Sequence, residues 1–380
     1  MQYVCEQYFQ LTIPVTGIHI DDLSGVDTAI IDGRETEVTF DIDLSVWRAV
    51  AADGGLSTPL PGLADNSRVR QIELPAFPAV PKNATEIPRF LHFVWVGHTT
   101  MPEPLVRRVV INALRTPGFR TIVHADVAST SLLDDLRKRL TGQVPWITVL
   151  NLREQPCFAD FVTHPVFRYY QKFLGEAARN YGAASDLLRL YLVHAYGGVY
   201  LDVDDLLANE IPLEACPKAT PADLLVGACY SAPKYGLSGC CQSHFASHAG
   251  NALLMSMLAE SAIRLQATGI FSSPRPWRKS GEADSGELNA YVREVLRLTG
   301  PQLFSDLINI HRPGMLELDA KLLKAMEVLH YSPERQRYRA NRYLAAVAAS
   351  LAHYRPFWHG MFQVIVGAAG SWLENTNSDA

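Results

Sequence analysis

The sequence predicts an α/β protein whose main domain is built on a doubly wound sheet. Three observations support this class. From residue 87 onward, short apolar runs alternate with longer amphipathic segments in the order strand, helix, strand, helix, strand. Two glycines, Gly197 and Gly198, separate a strongly periodic helix from a short apolar strand. That strand ends in the acidic run 202–205, and sheets of this class bind ligands at the carboxyl ends of their strands.

Residues 1–80 differ from the rest of the chain. The segments around Thr28 and Glu37 alternate apolar and polar residues as strands do, and Asp32-Gly33 between them is typical of a tight hairpin turn. Proline-rich stretches at 58–62 and 75–81 indicate an extended linker. We therefore predict a β-rich appendage over 1–80 and a main domain over 81–380. The appendage either docks a partner or covers an edge of the main domain.

The elements of the main domain follow in chain order. We expect strands at 90–97, 121–124 and 146–150, with helices at 104–114 and 131–140 between them. Residues 158–181 have a helical pattern and many aromatic rings, which we expect to be buried. His92 is expected to be a hydrogen-bonded histidine of its strand without a catalytic role. Residues 319–354 also have a helical pattern. For their arginine cluster, we favour a solvated helix face over an acceptor-binding or membrane-surface patch.

The most informative stretch is a helix that leads directly into the acidic strand end. Ser185 or Ala184 is expected to open this helix, and Gly197-Gly198 to end it with positive φ angles. Asp186 and Arg189 lie one helical turn apart, so they share a face. We expect that face to meet the strand end, since only a tight turn separates helix and strand.

Asp202 and Asp204 lie two residues apart at the end of the predicted strand 199–201, so both side chains leave the same face. Two carboxylates this close raise each other's pKa unless a cation lies between them. Hard oxygen ligands suit Mg²⁺ or Mn²⁺, which can also hold a diphosphate. The alternative is a solvated turn, and the charged helix face beside the pair favours the metal site.

Composition and charge exclude several classes of function. The 380 residues are 48% apolar and 19% charged, as in a globular protein, and 34 basic against 39 acidic residues give a net charge of −5. This charge does not attract nucleic acid or anionic membrane in general. The six cysteines include no Cys-x-x-Cys pair, and the N-terminal residues lack the features of a signal peptide. We therefore expect a soluble protein with reduced thiols that works in a cytoplasm.

Residues 184–189 and 196–204 together closely resemble the sugar-nucleotide site of retaining glycosyltransferases with the glycosyltransferase-A fold, a doubly wound, Rossmann-like architecture. This is the Asp-x-Asp sugar-binding region shared by the large glucosylating cytotoxins and mannosyltransferase-like enzymes. Residues 87–97 resemble the family's first strand, and Thr299-Gly300-Pro301 resembles a short motif that shapes one wall of the site. The resemblance implies a metal-dependent transfer of a hexose or N-acetylhexosamine from a nucleotide sugar, with retention of configuration.

The resemblance also implies roles for individual residues. Asp204 would hold Mn²⁺ or Mg²⁺ directly and Asp202 through water, while Asp186 and Arg189 would position sugar hydroxyls. Five residues would contact the donor: Trp95 by stacking on the base, Ser185, Tyr200, Ser371 by reaching the metal, and Trp372 by reaching the diphosphate. Residues 369–372 resemble the family's closing motif, and two residues are alternative ligands if the register of this motif shifts: Glu374 and Asn375. Three residues are candidate partners of sugar hydroxyls or structural residues: His244, His248 and Asn251.

The donor and acceptor remain open between alternatives. A UDP-sugar is favoured over GDP-mannose because the Trp95 strand resembles the uridine-stacking strand of the cytotoxins. A protein side chain or a small molecule is the expected acceptor, in the cytoplasm of a bacterial host or of a cell into which the protein is delivered. A non-catalytic binding protein with this fold is the rival hypothesis. A nucleotidyltransferase would need a basic, glycine-rich phosphate loop, which the sequence lacks.

Overall fold

The structure is a computed structural model. It describes residues 81–227, 241–278, 285–312, 354–358 and 361–367, together with short strands and single residues elsewhere. The chain divides into two compact units, Met1–Pro78 with Glu317–Ser350 and Ala79–Leu316 with Leu351–Ala380. The division into an appendage over 1–80 and a catalytic domain over 81–380 stays a prediction.

The described part of the first unit consists of short strands. They are β1 (Tyr3–Cys5), β2 (Ile18–His19), β3 (Asp27–Ile31), β4 (Arg34–Asp41), β5 (Val46–Val50), β6 (Leu56–Pro59) and β7 (Gln71–Glu73). Strands β2 to β6 form an antiparallel sheet in chain order, and β1 pairs with β7. Ile31 pairs with Arg34 across β3 and β4, which confirms the predicted hairpin at Asp32-Gly33.

The second unit alternates strands and helices through most of its length. Its strands are β8 (Thr85–Glu86), β9 (Phe90–Gly97), β10 (Arg120–Val127), β11 (Thr148–Asn151), β12 (Gly198–Leu201), β13 (Leu206–Leu207), β14 (Lys218–Ala219), β15 (Leu225–Val226), β16 (Cys229–Ala232), β17 (Leu237–Cys240), β18 (His244–Ser247) and β19 (Val364–Ile365). Its described helices are α1 (Glu103–Arg115), α2 (Thr130–Thr141), α3 (Pro156–Thr163), α4 (Phe167–Leu174), α5 (Tyr181–Tyr196), α6 (Ala252–Ala267), α7 (Gly286–Leu298) and α8 (Pro301–His311).

The central sheet has the strand order β11-β10-β9-β12-β18-β15. Strands β11, β10, β9 and β12 are parallel, and β18 runs antiparallel to both β12 and β15. The chain builds outward from β9 to β11 and then returns to the other side of β9 with β12. The strand order therefore reverses between β9 and β12, and a crevice opens beyond their carboxyl ends, where doubly wound sheets bind ligands. This topology confirms the predicted fold class.

The packing of the core explains why the sequence of helix α5 contains so few polar residues. Apolar side chains of α1 and α2 pack against strand residues such as Phe93 and Val123 in one continuous cluster. Helix α5 is buried along most of its length, from Ala183 to Val193, including two charged side chains. Its sequence is therefore apolar nearly all around, as expected for an internal helix.

The predicted elements agree with the structure in order, with two corrections. Residues 158–181 are not one helical segment, because His164 is extended and precedes Pro165, which separates α3 from α4. Helix α5 begins at Tyr181, whereas the sequence placed its start at Ser185 or Ala184. Asn180 caps it by accepting a hydrogen bond from the Ala183 backbone N–H at 3.0 Å.

Gly197 ends α5 with a φ of 65°, and Gly198 follows with a φ of 105°. A Cβ atom at Gly197 would lie 2.7 Å from the Ala249 backbone nitrogen and 2.8 Å from Pro88. We expect Gly197→Ala to destabilise the protein by about 2 kcal/mol or more, since steric overlap adds to the cost of the left-handed backbone. Gly250→Ala is the control, because Gly250 also has a positive φ of 76° but nothing lies within 4 Å of its added Cβ. Equal losses in urea unfolding of the two variants would contradict this steric explanation.

His92 and His124 form a buried pair beneath this turn. His92 Nδ1 lies 2.9 Å from His124 Nε2, and His92 Nε2 lies 2.8 Å from the Gly197 carbonyl oxygen. His92 therefore has its predicted structural role. Burial lowers the pKa of His92 from 6.5 to about 4. Burial is also the main cause that lowers the pKa of His124, and repulsion from His92 lowers it further.

The histidine pair predicts loss of stability in mild acid. Because the folded state binds protons less readily than the unfolded state, stability is fully present above pH 6.5 and falls as the pH drops toward 4. Between pH 7 and pH 5 we expect His92 alone to cost about 2 kcal/mol. Urea unfolding across this range should show a steeper pH slope in the native protein than in His92→Gln. Parallel slopes would contradict the assignment.

Candidate active site

A cavity of about 630 Å³ lies in the crevice between the carboxyl ends of β9 and β12. The N-terminal part of α5 forms one of its walls. Six residues predicted for the site line this single cavity: Trp95, Ser185, Asp186, Arg189, Asp202 and Asp204. The sheet topology therefore brings together side chains that lie up to about a hundred positions apart in the sequence.

Arg189 lies at the centre of a buried charged cluster. Its guanidinium contacts Asp186 Oδ1 at 3.1 Å and Asp202 Oδ1 at 3.0 Å, and it donates to the Gln242 carbonyl oxygen at 3.1 Å. Asp186 and Arg189 are only 9% and 5% exposed. Their spacing of one helical turn places both on the face of α5 that meets the strand end, as the sequence predicted.

Burial dominates the electrostatics of this cluster. It raises the pKa of Asp186 to about 6, against the opposing effects of Arg189 and of hydrogen bonds from Thr299 and Gln242. Burial also raises the pKa of Asp202 to about 7, with Arg189 acting in the opposite direction and Asp205 adding to the rise. The guanidinium therefore opposes the effect of desolvation, which favours the neutral forms of both carboxyl groups.

Tyr200 and Ser185 support the cluster from the sheet and from α5. The Tyr200 hydroxyl donates to Asp202 Oδ1 at 2.6 Å, and Arg189 lies 4.9 Å from the centre of the Tyr200 ring. Tyr200 is 1% exposed and is not among the residues that line the cavity. Ser185 does line it and also hydrogen-bonds the Tyr200 hydroxyl. The structure thus places Tyr200 behind Asp202, and its direct contact with a donor stays a prediction.

Trp95 lies near the end of β9, on the same side of the sheet as the acidic turn. Its indole N–H donates to the Thr99 carbonyl oxygen at 3.2 Å, which fixes the ring. The ring is partly exposed and lines the cavity. An indole held in this way offers a flat apolar face to a planar ligand.

The acidic turn has the donor chemistry of a magnesium or manganese site. Asp202 and Asp204 supply carboxylate oxygens at the cavity wall, and Mg²⁺ commonly binds one or two carboxylates and completes its shell with substrate phosphates and water. Within the part of the chain that the structure describes, no group of three or more His, Cys, Asp and Glu side chains is arranged to hold a metal. Two carboxylates of this kind fit a divalent ion that would complete its coordination with diphosphate oxygens.

Several predicted residues are not brought to this cavity. Ser371, Trp372, Glu374 and Asn375 lie outside the described residues. Among the three candidate sugar partners, none lines the cavity, and each has a structural contact instead. His244 bonds to Asp205 at 3.1 Å, His248 lies 2.9 Å from the Ala219 carbonyl oxygen, and Asn251 caps α6 through the Leu253 backbone N–H.

Sequence reasoning missed several residues of the cavity and of the charged cluster behind it. Gln242 meets Arg189 and Asp186, and the Thr299 hydroxyl donates to Asp186 Oδ2 at 3.0 Å. Four further lining residues form an aromatic and basic wall: Arg179, Tyr181, Arg275 and Trp277. Thr299 could have been found, since its Thr-Gly-Pro motif was already noted. The four wall residues have no comparable signal in the sequence.

The mixed sheet thus has a charged helix and an Asp-x-Asp turn at its switch point. Residues 134–222 match the family described as "Glycosyltransferase sugar-binding region containing DXD motif". This region, which includes Asp186, Arg189, Asp202 and Asp204, confirms the family resemblance of the sequence.

Known proteins show the same relationship. A segment of 135 residues, 34% of the chain, is 33% identical to "Subversion of eukaryotic traffic protein A" of Legionella pneumophila and covers 19% of that protein. A longer segment of 248 residues, 63% of the chain, is 23% identical to a protein named "Toxin" of Photorhabdus asymbiotica and covers 7% of that protein. The chain thus spans less than a fifth of these relatives. The solved structure of PaToxG glycosyltransferase is 20% identical with a TM-score of 0.49, over 73% of this chain and 89% of that one.

Proposed function

We propose that this protein is a metal-dependent retaining glycosyltransferase that transfers a hexose or N-acetylhexosamine from a UDP-sugar. One observation supports this most strongly. The buried Asp186 and Arg189 and the partly exposed Asp202 form a single charged cluster that opens into the cavity at the sheet's switch point. A protein gains nothing in stability from burying two carboxylates and one guanidinium, because their desolvation offsets their attraction. Such a cluster is well suited to binding a polyhydroxylated ligand.

The residues of the cavity have separate roles in this proposal. Trp95 stacks on the uracil ring. Asp186 and Arg189 bind the sugar hydroxyls, with Gln242 and Thr299 keeping Asp186 in place. Asp204, and Asp202 through water, would hold a divalent cation, which would supply the positive charge that stabilises a leaving diphosphate. Ser371 and Trp372 complete the diphosphate side in this proposal.

The acceptor is a protein side chain or a small molecule. A protein is preferred because residues 1–80 contain a β-sheet that can dock a partner, and because the relatives include a protein named "Toxin". The site of action is a cytoplasm, of a bacterial host or of a cell that receives the protein. Among the described helices, none combines the length and apolar character needed to cross a membrane.

The rival hypothesis is a binding protein that has the fold without catalysis. The cavity argues against it, since the charged cluster and both carboxylates of the Asp-x-Asp turn are present together. A GDP-mannose enzyme is the alternative within the same class. It differs in the base that stacks on Trp95.

A screen of nucleotide sugars tests the proposal. We expect hydrolysis of a UDP-sugar that requires Mn²⁺ or Mg²⁺, because water replaces the acceptor in enzymes that activate the donor this way. UDP should also bind more tightly than GDP when metal is present. Tighter GDP binding would move the protein to the mannosyltransferase-like branch. Hydrolysis that persists in excess chelator would refute the role of the metal.

A further inference from the structure

The acidic run contains a third carboxylate, Asp205, that the proposed reaction does not use. It borders the cavity, yet the residue is 0% exposed. Both of its oxygens have partners inside the protein. Oδ1 accepts the Gly367 backbone N–H at 2.9 Å, and Oδ2 accepts His244 Nδ1 at 3.1 Å. Asp205 is therefore turned away from the place where Asp202 and Asp204 can meet a cation.

The backbone of the acidic turn is fixed by the helix beneath it. Asn112 donates to the Asp205 carbonyl oxygen at 2.9 Å and accepts the Leu207 N–H at 2.9 Å. Arg108 donates to the Asp204 carbonyl oxygen at 2.6 Å. These three bonds hold the turn on α1 without involving any side-chain oxygen of the Asp-x-Asp pair.

The segment 363–367 lies against the same turn. Strand β19 pairs with β13 through Leu206 and Ile365, and the Ala208 N–H donates to the Gln363 carbonyl oxygen at 2.8 Å. Val366 and Gly367 then line the cavity. Gly367 comes so close to Asp204 that an added Cβ would overlap both its carboxyl group and its backbone. This segment therefore forms the cavity wall beside the acidic turn 202–205.

We propose that Asp205 is a positioning residue that couples the acidic turn to this wall. Its hydrogen bond to Gly367 keeps the wall against Asp204. Its hydrogen bond to His244 links the acidic turn and the wall to β18. The wall then covers the side of the cavity at Asp204, the residue proposed to hold the metal. This inference rests on the proposed function for its role in donor binding, whereas the coupling itself is a property of the fold.

Hydrogen exchange of the full-length protein tests the coupling without any ligand. In Asp205→Ala, amides of residues 363–367 should exchange at least about tenfold faster, because one buried hydrogen bond is lost locally. Asp205→Asn should stay close to the native protein, since its amide oxygen can still accept the Gly367 N–H. Gly367→Ala provides a second route if Asp205→Ala fails to fold, and it should loosen the same residues. Unchanged exchange in the folded variants would overturn the proposal.

Calorimetric titration of Mn²⁺ with UDP tests the consequence for the site. Asp205→Ala should bind about tenfold more weakly, and Asp205→Asn should bind nearly as the native protein does. If Asp205→Asn loses as much affinity as Asp204→Asn, Asp205 is a metal ligand and the positioning role is wrong. If the native protein itself binds no Mn²⁺ with UDP, the proposed function fails, and the exchange experiment still decides the coupling.

Discussion

Asp204→Asn is expected to reduce metal-dependent hydrolysis of the donor by at least about a thousandfold, which corresponds to about 4 kcal/mol of transition-state stabilisation. The amide removes the negative charge that holds the cation, and without the cation the leaving diphosphate keeps its developing charge. The substitution preserves the size of the side chain. The Arg108 contact is to the backbone carbonyl of Asp204, so it should persist.

Glu210→Gln is the matched control for this experiment. Glu210 is an exposed carboxylate six positions further along the chain, and it does not line the cavity. Its loss of charge should leave hydrolysis within about twofold, and Glu210→Gln should unfold at the same temperature as the native protein, since exposed carboxylates contribute little to stability. Asp204→Asn with more than a third of native activity would contradict the metal site.

Arg189→Leu should destabilise the fold by about 3–5 kcal/mol, the second large effect that the structure predicts. The substitution removes the cation from between Asp186 and Asp202 and leaves the buried Asp186 and the partly buried Asp202 without it. The loss should be smaller at pH 5 than at pH 8. Burial already raises the pKa of Asp186 to about 6, and removing Arg189 raises it further, so the protonated carboxyl is tolerated at low pH.

Arg297→Leu is the control for the buried pair. Arg297 contacts Glu294 at 2.8 Å, but both side chains are substantially exposed. We expect a change below about 1 kcal/mol in urea unfolding, as for other solvated ion pairs. A loss at Arg189 no larger than at Arg297 would show that the cluster is not effectively buried.

The sequence predicted the parts of the site that local periodicity controls. Asp186 and Arg189 share a face because of the helix repeat. The strand repeat does not extend to Asp202 and Asp204, because β12 ends at Leu201 and the acidic run forms a turn in which the Asp205 N–H donates to the Asp202 carbonyl oxygen at 3.0 Å. The tight Gly197-Gly198 turn then requires the helix face to meet the strand end. Trp95 was found through the resemblance of residues 87–97 to the family's first strand, and the topology puts this strand next to β12.

Other features depend on contacts that no local pattern encodes. Thr299 reaches Asp186 across 113 positions and Gln242 reaches Arg189 across 53. His244 and Asn251 were candidate sugar partners because their segment resembles the family segment that lines the donor sugar and acceptor. Their partners are instead buried polar groups of the fold, Asp205 and the first turn of α6.

The start of α5 was missed for a related reason. Tyr181 is followed by Gly182, a poor helix former, so local propensity favours a later start. Tertiary packing overrides this preference, because the Tyr181 ring packs against Gly97 and its hydroxyl bonds to His98. The helix therefore gains an additional turn at the wall of the cavity.

The most direct measurement is anomalous diffraction at the manganese edge from crystals grown with Mn²⁺ and UDP. The proposed function predicts a manganese peak beside the Asp204 carboxylate at the carboxyl end of β12, at about 2 Å from its oxygen ligands. Diphosphate oxygens should complete the coordination, and the uracil ring should lie against Trp95. UDP bound in the cavity without manganese, or manganese bound away from Asp202 and Asp204, would contradict it.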